Sequence, residues 1–186
     1  GFIGKHLMDS LVKQGHKVTG LEIEAARGAG DHPDMIFTDL SICKPEEKSI
    51  VTGFDAVFHL AASVNVNDMI NNPKKHFINN VMSTLNIIED IRLNNPDCLF
   101  VLASSDKVYG NADGSAKEDD LGVPADPYGN SKMFSELLTR NYHTNYSLNF
   151  VILRFGNTFG PLQSPGLFIP SVITRIVDGE ETIKVG

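Results

Sequence analysis

Short, continuously apolar segments alternate with helical periodicity along this chain, and no other sequence feature constrains the fold as strongly. Residues 99–103 and 150–153 are apolar at consecutive positions, which is typical of strands buried on both faces of a parallel sheet. Apolar residues recur at helical spacing within residues 3–12, 73–93 and 127–146. Strands that alternate with helices build βαβ units, so the sequence predicts an α/β fold with a doubly wound parallel sheet.

Weaker patterns complete the predicted order of elements. Residues 17–22, 35–38 and 56–60 are interpreted as shorter strands, and residues 170–177 as a final helix. Residues 110–127 are rich in Gly, Asp and Pro, which predicts a long loop. Loops of this length are often functional, so this segment is a candidate functional loop.

The charge balance and the cysteines exclude several classes of protein. The 186 residues carry 16 basic and 23 acidic side chains, a formal net charge of −7, which argues against binding to a nucleic-acid backbone. No apolar run approaches the roughly 18 residues of a membrane span. Cys43 and Cys98 lie far apart without a CxxC spacing, which excludes a disulfide scaffold and predicts a reducing, cytoplasmic environment.

Glycines at the start of the chain predict a phosphate-binding turn. Gly1 and Gly4 stand at the beginning of the first helical segment, where glycine lets the backbone approach a pyrophosphate and the helix N-terminus supplies N–H donors. A glycine-rich helix start with only a packing role is the alternative. The chain has no initiator Met and ends on a strand-like alternation at residues 181–186, so we expect it to be a fragment.

Acidic residues at predicted strand ends support a dinucleotide site. Glu22 ends the next predicted strand, about 20 residues after the glycines, where a carboxylate binds the ribose hydroxyls of a dinucleotide. A carboxylate there repels a 2′-phosphate, so NAD is favoured over NADP; a solvated surface glutamate is the alternative. Asp39, after the strand predicted at residues 35–38, is interpreted either as an adenine contact or as a turn cap.

A tyrosine and a lysine at i, i+4 spacing are the central catalytic candidates. Tyr128 and Lys132 share one face of the predicted helix, and a neighbouring ammonium is expected to lower the pKa of a phenol. Ser105 and Arg154 follow the two strongly apolar segments, and a serine there can hydrogen-bond a substrate hydroxyl. Because the carboxyl ends of parallel strands meet at the ligand-binding edge of an open sheet, these residues are expected to converge.

Six motifs occur in the order found in one enzyme family. They are GFIG at residues 1–4, HLAA at 59–62, NVMST at 80–84, SSDKVYG at 104–110, PYGNSK at 127–132 and RFGN at 154–157. With these motifs the chain resembles the extended short-chain dehydrogenase/reductase family, and within it the NAD-dependent epimerase/dehydratase group that acts on nucleotide-sugars. The resemblance implies a Rossmann-like fold that lacks its first strand and most of its C-terminal substrate subdomain. It also implies an NAD-binding domain over residues 1–160 and the start of the substrate subdomain over residues 161–186.

The resemblance implies roles residue by residue. Ser105, Tyr128 and Lys132 match the catalytic Ser/Thr, the base and its lysine partner, and Ser105 and Asn157 match substrate-binding residues, Asn157 at the diphosphate. The implied NAD-binding residues are Gly1, Phe2, Ile3, Gly4, Glu22, Asp39, Leu60, Ala61, Ala62, Asn80, Tyr128 and Lys132. Ser83 stands where the family usually has glycine, a departure expected to affect only fine packing near the cofactor.

The pair that follows Ser105 bears on the reaction. Family 4-epimerases tend to carry small or neutral residues there, whereas 4,6-dehydratases carry Asp followed by Glu or Lys, and this chain has Asp106 and Lys107. Asp106 could protonate the leaving hydroxyl, and a desolvated Lys107 with a lowered pKa could take the C5 proton. A 4,6-dehydratase is slightly favoured. A UDP-glucose 4-epimerase-like enzyme is the alternative, and the Asp–Lys pair can also be interpreted as a loop clamp.

A non-catalytic function, a metal site and the expected partners remain to be considered. A non-catalytic dinucleotide-binding sensor or scaffold usually loses the Tyr or the Lys, and this chain has both Tyr128 and Lys132. The six histidines lack metal-ligand spacing, so no metal site is predicted, and His59 is interpreted as a packed core residue. The resemblance implies a nucleoside-diphosphate sugar as substrate and a homodimer through the helices predicted at 73–93 and 127–146. The net charge and the lack of a long apolar run predict no nucleic-acid or membrane partner.

Overall fold

The computed structural model describes residues 1–23, 34–111, 114–120, 122–180 and 182–183, which belong to two compact units. One unit is Thr19–Gly156, and the other combines Gly1–Val18 with Asn157–Gly186. The functional boundary expected after residue 160 stays a prediction, because compactness alone defines these units.

The described chain contains five strands and six α-helices, with β1 to β3 in succession and α2 to α4 in succession. In order they are α1 (Phe2–Lys13), β1 (Gly20–Glu22), β2 (Met35–Phe37), β3 (Ala56–His59), α2 (Val66–Asn71), α3 (Pro73–Phe77), α4 (Ser83–Asn94), β4 (Leu99–Ser105), α5 (Pro127–Tyr146), β5 (Phe150–Phe155) and α6 (Phe168–Val177). The larger unit contains these strands and the helices α2 to α5, and the smaller unit contains α1 and α6. None of the described helices is long and apolar enough to cross a membrane.

The strands pair in parallel throughout the described residues. β1 pairs with β2, and in a second sheet β4 lies between β3 and β5. β4 is buried from Phe100 to Ser105, as its continuous apolar sequence predicts. The prediction of a parallel α/β fold is confirmed, with the described strands divided between two sheets. The carboxyl ends of β3, β4 and β5 therefore point to the same side of their sheet.

The long helix predicted over residues 73–93 is interrupted. A π-helical turn, Ile78–Met82, separates α3 from α4, and such turns often occur at functional sites. The turn contains Asn80, whose buried side chain bonds to the backbone of Ser63. The sequence interpretation also missed α2, a helix of only six residues that begins at an Asn65 cap.

One hydrophobic core serves both sheets of the larger unit. Its buried members are Leu40, Val51, Ile87, Ile88, Ile91, Cys98, Phe100, Leu102 and Leu148. Leu21 of β1 and Val57 of β3 pack against this cluster, so both sheets contribute to it. Full burial of one such aliphatic or aromatic side chain stabilises a fold by about 1.5–3 kcal/mol.

A glycine lets α5 pack closely against the turn that follows β4. β4 runs directly into a 3₁₀ turn, Asp106–Tyr109, and Gly129 in the first turn of α5 lies against it. A Cβ atom at Gly129 would stand 2.8 Å from the Lys107 carbonyl oxygen and 3.0 Å from Pro124 Cβ. Because backbone and proline atoms in a packed interior cannot move aside without strain, this approach requires glycine.

His59 ends β3 as a buried, neutral side chain. It is 4% exposed, stacks on Phe100 with 6.0 Å between ring centroids, and its Nε2 lies 3.2 Å from Thr84 Oγ1. Burial, and then the charge of Lys132, lowers its pKa from 6.5 to about 3. The interpretation of His59 as a packed core residue is confirmed.

We predict that Gly129→Ala lowers the free energy of unfolding by about 1–3 kcal/mol, because the added methyl group overlaps the Lys107 carbonyl. Chemical denaturation of the wild-type and variant proteins measures the difference. Gly166→Ala is the matched control, since a Cβ atom at Gly166 meets nothing within 4 Å. Equal stability of the two variants would contradict the close approach.

We also predict that acid weakens the fold through His59. In the unfolded chain His59 binds a proton near pH 6.5, and in the folded protein only near pH 3. The contribution of neutral His59 to stability is therefore complete above pH 6.5 and is lost as the pH falls towards 3. The free energy of unfolding should fall by about 1.4 kcal/mol per pH unit in this window. His59→Gln should remove this slope and the exposed control His16→Gln should keep it. If the unfolding free energy of His59→Gln depended on pH as strongly as that of the wild type, the burial of His59 as a neutral side chain would be contradicted.

Candidate active site

The site is built at the carboxyl end of β4. Ser105 is the last residue of this strand and caps the 3₁₀ turn, where its Oγ accepts the Lys107 N–H at 3.2 Å. The same hydroxyl donates to Asp106 Oδ1 at 3.0 Å. A buried hydroxyl is therefore held at the edge where parallel sheets bind ligands.

The first turns of α5 carry Tyr128 and Lys132. Asp126 caps the helix by accepting the Gly129 N–H at 2.7 Å, and Pro127 occupies the first helical position, which suits proline. Tyr128 and Lys132 lie one turn apart, and the Lys132 Nζ is 5.9 Å from the centre of the Tyr128 ring. The two side chains therefore share one helix face, as their spacing predicts.

Lys132 is bound to the strand that ends in Ser105. Its Nζ donates to the Ala103 carbonyl oxygen at 2.8 Å, and only 4% of the residue is exposed. Burial lowers the pKa of its ammonium group to about 8, because a cation loses hydration inside the protein. At neutral pH the group remains a cation.

The phenol of Tyr128 is harder to ionise than expected from its lysine neighbour. Burial raises its pKa, the nearby Ser105 side chain partly offsets this, and the charges of Asp106 and Asp126 raise the pKa again. The predicted lowering by Lys132 is wrong for this structure, since burial dominates and the ammonium group is bound elsewhere. The Ser105 side chain is nevertheless near enough to the phenol to affect its pKa, while the Ser105 hydroxyl itself donates to Asp106 Oδ1.

The structure agrees with only part of what the sequence predicts for Asp106 and Lys107, the pair that follows Ser105. Asp106 is half-buried and accepts the Ser105 hydroxyl, a contact of the kind that a loop clamp makes. Lys107 is exposed, so the expected desolvation of its ammonium group is wrong here. Its main chain is engaged at the Ser105 cap and against Gly129, whereas its side chain extends towards solvent.

The segment after β3 is tied to α5 through Asn80. Residues 60–62, predicted to bind the cofactor, lead into Ser63, whose N–H donates to Asn80 Oδ1 at 2.7 Å. Asn80 Nδ2 donates to the Ser63 carbonyl oxygen at 3.1 Å and to Ser131 Oγ at 2.9 Å. Ser131 precedes Lys132 directly, so Asn80 links the predicted cofactor segment to the catalytic helix.

The two acidic candidates end their strands as predicted. Glu22 is half-buried at the end of β1, and its Oε1 accepts the Ile23 N–H at 3.0 Å. Asp39 follows β2 and caps the next turn, where its Oδ1 accepts the Ser41 N–H at 2.9 Å and the Ser41 hydroxyl at 2.7 Å. Of the two interpretations of Asp39, the structure shows the turn cap. The adenine contact stays a prediction.

The remaining predicted residues lie in the smaller unit. Gly1 precedes α1 as its N-cap, and Phe2, Ile3 and Gly4 form the first turn of that helix. Asn157 begins the second segment of the same unit. Their roles towards the pyrophosphate and the substrate diphosphate stay predictions.

A buried ion pair that the sequence interpretation missed lies beside Lys132. Glu136 binds Arg154 of β5 through two hydrogen bonds, from Nε to Oε1 at 3.0 Å and from Nη2 to Oε2 at 2.8 Å. Ser104 Oγ also donates to Glu136 Oε1, at 2.5 Å. The sequence held one signal for Glu136: it follows Lys132 by four residues and therefore lies on the same face of the helix.

The chemistry of these groups fits a dinucleotide and a proton transfer. The carboxylate at the end of β1 suits ribose hydroxyls, and the small residues Ala61, which is exposed, and Ala62, which is half-buried, follow β3 closely. The hydroxyl of Ser105 can hold a substrate hydroxyl, and the phenol of Tyr128 can exchange a proton with it.

Comparison with known proteins gives consistent matches. The model of the NAD dependent epimerase/dehydratase family matches residues 1–186. A dTDP-glucose 4,6-dehydratase of Streptomyces griseus is 31% identical over 198 residues, covering 100% of this chain and 60% of the relative. A putative UDP-glucose 4-epimerase of Methanocaldococcus jannaschii is 30% identical over 169 residues, covering 89% of this chain and 55% of the relative.

The fold is also similar to that of a solved nucleotide-sugar enzyme. The UDP-glucuronic acid 4-epimerase of Bacillus cereus, in complex with UDP-glucuronic acid and NAD, gives a TM-score of 0.81 at 28% identity. The match covers 96% of this chain and 60% of that protein. The chain thus spans about 60% of the length of such relatives.

The matches agree with the family predicted from the motifs. They include a dehydratase and epimerases, so the coarse class agrees and the choice of reaction stays open. NAD, the cofactor predicted from the sequence, is the cofactor in the description of the family. The chain belongs to the NAD-dependent epimerase/dehydratase family.

Proposed function

We propose that the protein is an NAD-dependent enzyme that oxidises a nucleoside-diphosphate sugar at C4 through a 4-keto intermediate. The observation that carries the proposal is the placement of Tyr128 and Lys132 on one face of α5, with the Lys132 Nζ 5.9 Å from the Tyr128 ring centre and bound to the Ala103 carbonyl oxygen of the strand that ends in Ser105. Epimerases and 4,6-dehydratases of the family begin with the same oxidation, so this first step is common to both candidate reactions.

The chain offers groups of suitable chemistry for the cofactor. NAD, when bound, accepts a hydride from the sugar and gives it back. Glu22 would bind ribose hydroxyls, Lys132 a second ribose, and Gly1 and Gly4 would let the backbone approach the pyrophosphate. Asn80 would support this site indirectly, since it holds the segment of residues 60–63.

Side chains of β4 and α5 bind the sugar and transfer its proton. Ser105 binds the 4-hydroxyl group of the sugar, and Tyr128 takes its proton as the general base. Lys132 stabilises the phenolate with its charge, which burial makes more effective than in water. Because burial raises the pKa of Tyr128, the free protein keeps this phenol protonated at neutral pH, and proton loss belongs to the assembled complex.

A 4,6-dehydratase is the favoured reaction, by a small margin. Asp106 supports it, because this half-buried carboxyl group beside Ser105 can protonate a leaving C6 hydroxyl. Lys107 would have to become desolvated in the substrate complex to take the C5 proton. A 4-epimerase is the second candidate, and the exposure of Lys107 in the free protein favours it.

Product analysis distinguishes the two reactions. We expect the intact protein, incubated with NAD and dTDP-glucose or UDP-glucose, to form a 4-keto-6-deoxy sugar that absorbs light in alkali. A C4 epimer without this absorbance would contradict the dehydratase and support the epimerase. No change in these sugars, in UDP-glucuronic acid or in UDP-N-acetylglucosamine would contradict both, and NAD binding alone would then support the sensor or scaffold.

We predict that Tyr128→Phe reduces turnover by about 10²–10⁴-fold, the range expected for a general base, and leaves NAD affinity unchanged. Steady-state rates and NAD titration measure the two effects. Tyr146→Phe is the matched control, because this tyrosine is exposed at the far end of the same helix. Turnover by Tyr128→Phe at the wild-type rate would refute the catalytic assignment.

A homodimer is proposed through the outer face of α3 and α5. Phe77 and Phe134 pack edge to face with 5.2 Å between ring centroids, and Phe134 remains 47% exposed. Ile78 and Leu137 are also exposed, so the described part of this face presents a group of large apolar side chains. Such patches commonly mark protein interfaces, and the family resemblance implies this one.

We predict that Leu137→Glu converts the dimer to a monomer, because dimerisation would bury the charge of the new carboxylate in the apolar interface. Mass determination in solution at several concentrations measures the assembly. Ile42→Glu, at an exposed apolar residue of a 3₁₀ turn outside both helices, should remain dimeric. A wild-type monomer, or a dimer that tolerates Leu137→Glu, would contradict the proposed interface.

A further inference from the structure

The ion pair between Glu136 and Arg154 is almost completely buried. Only 1% of Glu136 is exposed, and its carboxylate accepts hydrogen bonds from Nε and Nη2 along one edge of the Arg154 guanidinium group and from Ser104 Oγ. A two-point contact between a carboxylate and arginine fixes orientation as well as distance. The groups it joins are consequently held in one arrangement.

Those groups are the parts that carry the proposed chemistry. Glu136 lies one helical turn after Lys132 and two turns after Tyr128 on α5, so the three residues share a face. Ser104 directly precedes Ser105 on β4. The Glu136 carboxylate therefore connects the helix of the proposed base to the strand of the proposed substrate-binding serine.

Arg154 extends the connection to the loop. Its Nη1 donates to the carbonyl oxygens of Glu118 at 3.0 Å and Asp120 at 3.3 Å. Its guanidinium group also lies over the Tyr109 ring, 4.6 Å from the centroid. The turn after Ser105 and the loop after it are thus bound to the same arginine.

We propose that Glu136 and Arg154 are positioning residues that hold α5, with Tyr128, against the end of β4, with Ser105, for proton transfer. The inference rests on the proposed function, and it adds that the pair acts on the rate of the reaction rather than only on folding. Apolar residues of similar size can replace a buried ion pair without loss of stability. They cannot reproduce its directional contacts to β4, β5 and the loop.

The test separates positioning from stability. Glu136→Gln leaves the arginine without its counter-ion, so the double variant Glu136→Met/Arg154→Met, which removes both charges, is made beside it. We expect both folded variants to lose about 10- to 100-fold in kcat, the order of effect that small misplacements produce, with KM and NAD affinity within about twofold of the wild type. Glu136→Asp should restore part of the rate, since it keeps the charge.

Asp90→Asn is the matched control. Asp90 is another buried carboxylate, 2% exposed on α4, and it accepts the Ile50 N–H at 2.8 Å. This variant should lose stability and keep kcat. A folded double variant with a kcat equal to that of the wild type would overturn the positioning role.

A crystal structure of the double variant tests the positioning role independently of any activity measurement. We expect the Tyr128 and Ser105 side chains to lie farther apart than in the wild-type protein, and an unchanged arrangement of these two side chains would overturn the inference. If wild-type protein turns over none of the four nucleotide-sugars, the proposed function fails. The crystal structure then still tests whether the ion pair positions these side chains.

Discussion

The buried carboxylate of Glu136 is the constraint on which the arrangement of this site depends. An ionised carboxylate inside a protein is strongly destabilising unless charged and hydrogen-bonding partners surround it. Arg154 and Ser104 satisfy it, and they do so only when the ends of β4 and β5 lie against the middle of α5. The fold that satisfies this one charge therefore also aligns the strand ends with the helix that carries Tyr128 and Lys132.

A second, uncharged network fixes the other side of α5. Asn80 in the π-helical turn donates to Ser131, and Thr84 on α4 donates to Ser135 at 3.0 Å. Buried hydroxyl and amide groups are specific contacts, because an unpaired one is destabilising. The helix is thus held by an ion pair towards the sheet and by hydrogen bonds towards α4. These contacts explain how Lys132 can remain buried and Tyr128 can stay beside Ser105.

The sequence predicts local structure well where one pattern dominates, and poorly where distant residues decide. The apolar run of β4 and the periodicity of α5 predict both elements, and strand ends predict where Ser105 lies. The π-helical turn was missed, because it depends on the hydrogen bonds of Asn80 to Ser63, 17 residues away. Glu136 resembles a surface glutamate until Arg154, 18 residues later, is placed beside it. The pKa of Tyr128 was predicted in the wrong direction because a pairwise charge argument omits burial.

The most direct test of the account follows the hydrogen at C4 of the sugar. The intact protein is given a nucleotide-sugar that carries deuterium at C4, and the label is located in the product by NMR. Oxidation at C4 with return of the same hydride predicts retained deuterium, at C6 of a 4-keto-6-deoxy product or at C4 of an epimer. A product that has lost the deuterium to solvent, or one formed without breaking the C4–deuterium bond, would contradict the account.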